Sequence, residues 1–438
     1  MKVIKSIRTQ KPRTVIKPGT ALNPCVWEAW VEQGIGSPLT GRGTLDSYQF
    51  HKLQENYTYV RQNSTFYKKL YEDSHSPAAL ETWEDFKQLP FTSGEDIRDR
   101  GMQMLCVSQS QISRVVTLDT SGTTGFPKRF FFTKEDQELT VDFFHYGMET
   151  LTGPEDRVMI LLPGCRDGGL ADLLRRGVER IPADVSIYGL VKDVGACAEE
   201  IYRQKSTVLV GIPVQVQALA AHCRMKGITS PVKRVLLSTD VLSDIVRYRI
   251  EEGLNCQVFN HFGMTEMGYG GALECQAHQG MHIRENDLYV EVVEPQSGKE
   301  LPDGSFGEMV ITTLTRKGMP LIRYRTGDRA RILDGSCPCK SVLKRIDGAD
   351  GRLDAIFDWK KLDDMIFSDE TVVDYDVYCD EKRGLLHISR KRYFEQIPYR
   401  GKRQVRPYEE LVDETGTDRV TLQADMFYHK CIYNNYDS

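Results

Sequence analysis

At 438 residues the chain has room for two or three domains, and a balance of 40% apolar and 27% charged residues suits a globular chain rather than a disordered one. Lys and Arg number 57 against 62 Asp and Glu, a net charge of -5, so no basic field recruits nucleic acid or anionic lipid. The 11 Cys form no even disulfide framework and fit reduced thiols in the cytosol, while the longest apolar runs, Val158–Leu162 and Val208–Val216, fall far short of the roughly 18 residues of a membrane span.

The first 27 residues carry Lys2, Lys5, Arg8, Lys11, Arg13 and Lys17 without an acid. Pro12 and Pro18 break any amphipathic helix there, so a solvated basic tail is expected rather than a targeting leader. From Thr44 to Tyr71 the spacing of Tyr48, Leu53, Tyr57, Val60, Phe66, Tyr67 and Leu70 is helical. After Arg157 short apolar runs (VMILLP, VSIYGLV, TVLVGIP, VKRVLLS) alternate with helix-period segments at 169–178, 194–203, 215–225 and 245–254. That alternation predicts crossover units, a parallel sheet covered on both faces and hence a doubly wound α/β middle. Beyond Asp287 the strands LYVEVVEP, EMVITTL and LIRYRTGDRARIL, separated by Gly and Pro turns, read as a smaller antiparallel or mixed β portion. From Leu353 the strands VVDYDVYC and GLLHISRKR, a helix around 408–411 and a last strand ending near Tyr433 make a separate α+β unit of about 85 residues.

The segment TLDTSGTTGFPKR at 117–129 follows the strand-like RVVTL. Gly122 and Gly125 free the backbone for positive φ, so that N–H groups converge on an anion; Ser121, Thr123 and Thr124 add hydroxyls and Lys128 adds charge. Phe126 and Pro127 separate Gly125 from Lys128, which excludes a Walker A loop. An ordinary Ser/Thr/Gly turn is the alternative.

Three segments in order, TSGTTGFPK, FNHFGMTEMG at 259–268 and GMPLIRYRTGDRARI at 318–332, resemble the phosphate loop, the aromatic-Gly-x-Thr-Glu motif and the Tyr-x-Thr-Gly-Asp motif of the adenylate-forming superfamily. With the N-terminal helices and CPCKSVLKRIDGADGRLD at 337–354, the chain is similar to its phenylacetate-CoA ligase-like acyl-CoA synthetases over most of its length. The resemblance implies an α/β fold with a large N-terminal domain of doubly wound sheets plus a β portion, residues 1–352, that binds nucleotide and acyl group. A small mobile α+β lid domain, 353–438, follows. It implies an AMP-forming carboxylate-CoA ligase that uses ATP and Mg²⁺ to convert a carboxylic acid, with aryl acids as one candidate class, to acyl-AMP and then to a coenzyme A thioester. Delivery to a carrier-protein thiol or an amine, and a non-catalytic nucleotide-binding scaffold of the same fold, are the rivals. The expected partners are a small-molecule acid, coenzyme A or a carrier protein, and a second copy of the chain, with no nucleic acid and no membrane.

The resemblance assigns the triphosphate to Thr120, Ser121, Gly122, Thr123, Thr124, Gly125 and Lys128, and the bridging Mg²⁺ to Glu266, a hard oxygen ligand. Thr265 would donate to the α-phosphate, Phe262 with Gly263 would face adenine, Asp328 would accept from two ribose hydroxyls, and Arg345 would lie near the nucleotide. Asp354 aligns with the hinge about which the small domain of relatives rotates between half-reactions. Each has a plainer alternative: a first-turn helix charge for Glu266, core for Phe262, a turn cap for Asp328 and a solvated basic patch for Arg345. The superfamily's C-terminal adenylation Lys sits in a Gly-rich loop; the nearest candidate here, Lys430 in MFYHKCIY, lacks that glycine and would otherwise be a strand-edge charge.

Cys275, His282, Cys337 and Cys339 meet the ligand preference of a tetrahedral Zn²⁺, with His278 as the alternative nitrogen, and some relatives resemble this arrangement. Buried, hydrophobe-like thiols are the alternative. For the acyl pocket, Arg166, Arg175 and Arg176 point to a polar or acidic substrate or else face solvent, and His261 and Asp240 touch the acid or have buried or capping roles.

Overall fold

The computed structural model describes residues 26–118, 127–347, 351–353, 357–380, 382–392, 405–407 and 418–423. They fall into two compact units, one drawn from 23–189 and 260–355 and the other from 190–259 and 356–438.

In the first unit the helical stretch expected from 44 to 71 is two helices, Arg42–Asn63 and Thr65–Asp73, because Ser64 turns extended and its side chain accepts from the Tyr67 N–H as an N-cap. The longer helix buries Leu45, Gln49, Leu53, Asn56, Tyr57 and Val60 on one face. Two polar residues on that face donate to the β portion: Gln49 Nε2 to the carbonyls of Glu285 and Leu288, and Asn56 Nδ2 to that of Thr313. The β portion runs antiparallel through Leu288–Val293, Gly307–Thr313, Tyr324–Ile332, Arg345–Asp347, Met281–Ile283 and Ala272–Glu274, the last pairing with His261 and Phe262. The first three strands are those legible in the sequence; the last three have only three residues each, too few to show an alternation.

A hairpin, Ile112–Leu118 against Lys128–Thr133, pairs Leu118 with Lys128 at its loop end. Thr133 and Asp136 then form a capping box that starts the helix Lys134–Glu149. Asp136 also accepts from the backbone N–H groups of Lys317 (2.7 Å) and Gly318 (2.9 Å), tying the 315–320 loop to the hairpin. The crossover Arg157–Ile160, Leu170–Val178, Asp184–Ile187 has its two strands parallel, as the alternating texture predicts.

In the second unit the strands Val208–Gly211 and Arg234–Leu237 are parallel, with helices Val194–Gln204, Pro213–Lys226 and Asp244–Leu254 between and beside them. A four-stranded sheet, in the order 405–407, 372–380, 385–392, 418–423, belongs to the same unit. Arg249 joins the two parts: its guanidinium, 5.4 Å from the Phe367 ring, donates to the carbonyls of Val372 and Asp369, both at 2.7 Å. Burial lowers its pKa to about 10. The helix expected around 408–411 and the strand expected near Tyr433 lie outside the described residues.

Candidate active site

Glu266 occupies a single helical turn, Thr265–Met267, and is 4% exposed. Its Oε1 accepts from Lys128 Nζ at 3.1 Å and from the Tyr324 hydroxyl at 3.3 Å, while Oε2 takes no hydrogen bond from the described residues. Three chain segments therefore meet at one carboxylate: the loop end of the hairpin, the FGMTEMG turn and the start of the YRTGD strand. A buried carboxylate costs several kcal/mol unless donors surround it, and here a cation and a phenol do so on one side only. Tyr324 is pushed above the ordinary phenol range by burial and by the Glu266 charge, so it stays a donor.

The glycines around Glu266 have steric reasons. A Cβ on Gly263 would overlap the Tyr269 carbonyl, and one on Gly270 would enter the Phe143 ring. Gly268 has φ +72° and its carbonyl accepts from Thr140 Oγ1.

Asp328 lies on the strand that Tyr324 begins, after Gly327 with φ +73°. Its carboxylate is 3.8 Å from Arg352 Nη1 and its N–H donates to Thr326 Oγ1. Phe262 and Thr265 are half-buried, and Phe262 packs on the core. His261 is buried beside the rings of Phe143 and Phe144, and desolvation lowers its pKa to about 4, so the imidazole is neutral.

Arg345 is placed differently from the expected nucleotide contact. Its guanidinium is buried and donates to the carbonyls of Gln279 (2.6 Å), Gly335 (2.9 Å) and Asp334 (3.4 Å), because the short strand that carries it is paired with Met281–Ile283. Asp240 belongs to the other unit, where its Oδ1 accepts from the Val241 N–H. Arg175 is bound to Asp172 and Glu179, and Arg176 to Glu138, so these two arginines brace helices; Arg166 is exposed. Thr120, Ser121, Gly122, Thr123, Thr124, Gly125, Asp354 and Lys430 lie outside the described residues. Sequence reasoning passed over Tyr324, although it is the first residue of the YRTGD motif, because the motif's carboxylate attracted the chemistry.

Elsewhere in this unit Cys275, His282, Cys337 and Cys339 are all buried and place one ligand atom each within 4.8 Å of every other. Cys275 and Cys337 sulfurs are 3.6 Å apart, and Cys339 Sγ is 3.3 Å from His282 Nε2. His282 Nδ1 faces the Leu343 carbonyl at 3.3 Å, the outer contact that directs Nε2 at the thiols. Three sulfurs and one nitrogen in a closed, buried set fit a structural Zn²⁺. His278, the alternative nitrogen, turns instead to Glu274 at 3.2 Å. Burial opposes a charge on His282, yet the Cys337 and Cys339 thiols lift its pKa to about 9, and hydrogen bonds from its neighbours hold Cys337 well below the usual thiol range.

A model of the AMP-binding enzyme family matches residues 72–315 of this chain. The phenylacetate-coenzyme A ligase of Thermus thermophilus is 29% identical over 326 residues, 72% of this chain and 71% of that protein. The phenylacetate-coenzyme A ligase of Escherichia coli is 26% identical over 327 residues, 71% of each. In fold, the chain is similar to a crystal structure of 2-hydroxyisobutyryl-CoA ligase in its postadenylation state with 2-HIB-AMP, with a TM-score of 0.69 at 22% identity over 76% of this chain and 75% of that one.

Proposed function

Because the chain belongs to the AMP-binding enzyme family, we infer that it activates a carboxylic acid with ATP and passes the acyl group to coenzyme A. One carboxylate oxygen of the acid bonds to the α-phosphorus as the bond from that phosphorus to pyrophosphate breaks. The coenzyme A sulfur then bonds to the acyl carbon, and AMP leaves with the bridging oxygen. The observation that supports this reading is the meeting of Lys128, Glu266 and Tyr324, one from each of the three motif segments. Both steps gather or shift negative charge at the α-phosphate, which calls for preorganised cations and donors.

In this reading Lys128 and the loop of Thr120 to Gly125 cradle the phosphates, Thr265 donates to the α-phosphate, and Tyr324 fixes the rotamer of Glu266. Glu266 would hold Mg²⁺ through its open Oε2; when bound, the metal supplies charge neutralisation between phosphates. Phe262 and Gly263 would face the base and Asp328 the ribose. Lys430 as the adenylation lysine and Asp354 as a hinge rest on the motif resemblance alone. His261, neutral and packed on Phe143 and Phe144, would close the acyl pocket as a wall rather than serve as an acid. The Cys275, His282, Cys337 and Cys339 set would hold a structural Zn²⁺, and Arg345 would act as a brace for its loops rather than a ligand of the nucleotide. The described cysteines form no disulfide with one another, which suits a cytosolic setting.

Incubation with ATP, Mg²⁺, coenzyme A and a panel of acids tests the reading. Acid-dependent AMP, pyrophosphate and thioester in equal amounts are expected. Acyl-AMP without thioester would point to another acceptor, and ADP with phosphate would contradict the chemistry.

A further inference from the structure

Arg316 is 6% exposed and its guanidinium makes no ion pair and no hydrogen bond with any described residue. Its one strong contact is the face of Phe132, 5.1 Å from the ring centroid. The charges of Asp136, Asp287 and Glu266 favour the guanidinium from a distance, but none of the three makes an ion pair with it. Asp136 accepts from the N–H groups of Thr133, Lys317 and Gly318; Asp287 is paired with Arg284; Glu266 is shared by Lys128 and Tyr324. Burial, the largest influence, lowers the Arg316 pKa to about 10, still far above neutrality, so the group is a buried cation. Such a charge costs several kcal/mol unless an anion meets it.

The position of Arg316 indicates which anion. Lys128 and Phe132 lie on one strand and, with Phe130 between them, on one face of it. Four residues of strand separate the Lys128 and Phe132 α-carbons by about 13 Å. Lys128 is at the Glu266 end, where the reading above puts the phosphates. Arg316 is at the other end, over Phe132, whose ring stacks with Tyr269 at 6.4 Å. It also borders Gly268: an atom at the place of a Gly268 Cβ would be 3.4 Å from Arg316 Nη2.

We propose that Arg316 binds a second anionic group at the far end of the acid, so that the substrate is a dianion, such as a dicarboxylic acid, rather than a simple monocarboxylate. This rests on the acid-activating reading above. A planar guanidinium donates two parallel hydrogen bonds to a carboxylate, and Phe132 packs against this one at 5.1 Å from its ring centroid. Arg175 and Arg176, the other arginines considered for an acidic substrate, are paired with Asp172, Glu179 and Glu138, which leaves Arg316 for that role.

The test is acid-dependent pyrophosphate–ATP exchange with pairs of acids that share a skeleton and differ by one terminal carboxylate, for the wild type, Arg316→Gln and Arg316→Lys. The wild type is expected to favour the dicarboxylic member. Arg316→Gln should lose about 10- to 100-fold in kcat/KM for that member, with KM for ATP and the rate with the monocarboxylic member unchanged, and Arg316→Lys should recover part of the loss. Equal loss for both members would assign Arg316 to the reacting carboxylate, and a raised KM for ATP would assign it to phosphate; either overturns the proposal. Melting temperatures measured with the acids alone separate this from the catalytic reading. A dicarboxylate that raises the melting temperature of the wild type but not of Arg316→Gln supports the site even without exchange. No shift of the wild type by any dicarboxylate overturns it. The unliganded Arg316→Gln protein should melt no lower than the wild type, whereas an arginine serving only the fold would lower it.

Discussion

Glu266→Gln is the substitution that most sharply separates chemistry from fold. At 3.1 Å and an effective dielectric near 20, the attraction between Lys128 Nζ and Glu266 Oε1 is about 5 kcal/mol before the cost of burying the carboxylate. That cost removes most of it, and with the Lys128 side chain 24% exposed the net loss on neutralising Glu266 is about 1–2 kcal/mol. Glutamine keeps the shape and can still accept from Tyr324. The melting temperature should therefore fall by only a few degrees. Loss of a carboxylate ligand to Mg²⁺ removes several kcal/mol of transition-state stabilisation, which corresponds to about 10²- to 10³-fold in rate. The assay is pyrophosphate–ATP exchange as a function of Mg²⁺ concentration. A fall of that size with a raised Mg²⁺ requirement is expected. Unchanged exchange at ordinary Mg²⁺ would refute the assignment, and loss of activity matched by a collapse in melting temperature would make Glu266 a fold residue.

Other positions give further checks. Cys339→Ser should abolish stoichiometric zinc measured by plasma emission spectrometry and lower the melting temperature; zinc retained at one per chain would remove Cys339 from the ligand set. Gly263→Ala must displace the Tyr269 carbonyl and should cost at least about 2 kcal/mol in denaturant unfolding together with exchange activity; a neutral result would mean the turn yields freely. His261 has a folded pKa of about 4 against 6.5 for the free side chain, so the unfolded chain takes up its proton first as pH falls. Stability present above about pH 6.5 is then lost progressively down to about pH 4, by about 3 kcal/mol in total, and His261→Phe should flatten that part of the melting profile. Arg249→Ala leaves the Val372 and Asp369 carbonyls without their donor and should destabilise by about 2–3 kcal/mol in urea titration; a change under 0.5 kcal/mol would remove the clamp from the account.

The sequence is legible where one physical rule acts alone. The crossover segments after Arg157 show their period because both the strand and the helix must bury an apolar face, and observed bounds such as Val194–Gln204 and Asp244–Leu254 lie close to those expected. The Cys275, His282, Cys337 and Cys339 set is legible because few residue types bind zinc and they were few in that region. Arg345 was not, since an arginine beside a motif looks the same whether it faces a ligand or three carbonyls; only the pairing of its strand with Met281–Ile283 decides. Arg175 and Arg176 were ambiguous for the same reason, their partners Asp172, Glu179 and Glu138 being separated from them by as little as 3 residues or as many as 38. Arg316 showed no signal, because its distinction is the absence of a partner, a property of the packed chain.

The most direct measurement is isotopic. The acid is supplied with ¹⁸O in both carboxylate oxygens, together with ATP, Mg²⁺ and coenzyme A, and the products are weighed by mass spectrometry. Attack on the α-phosphorus followed by thiol attack on the acyl carbon leaves one ¹⁸O in each AMP and one in the thioester carbonyl. Label appearing in phosphate or pyrophosphate, or AMP formed without label, would contradict the acyl-adenylate.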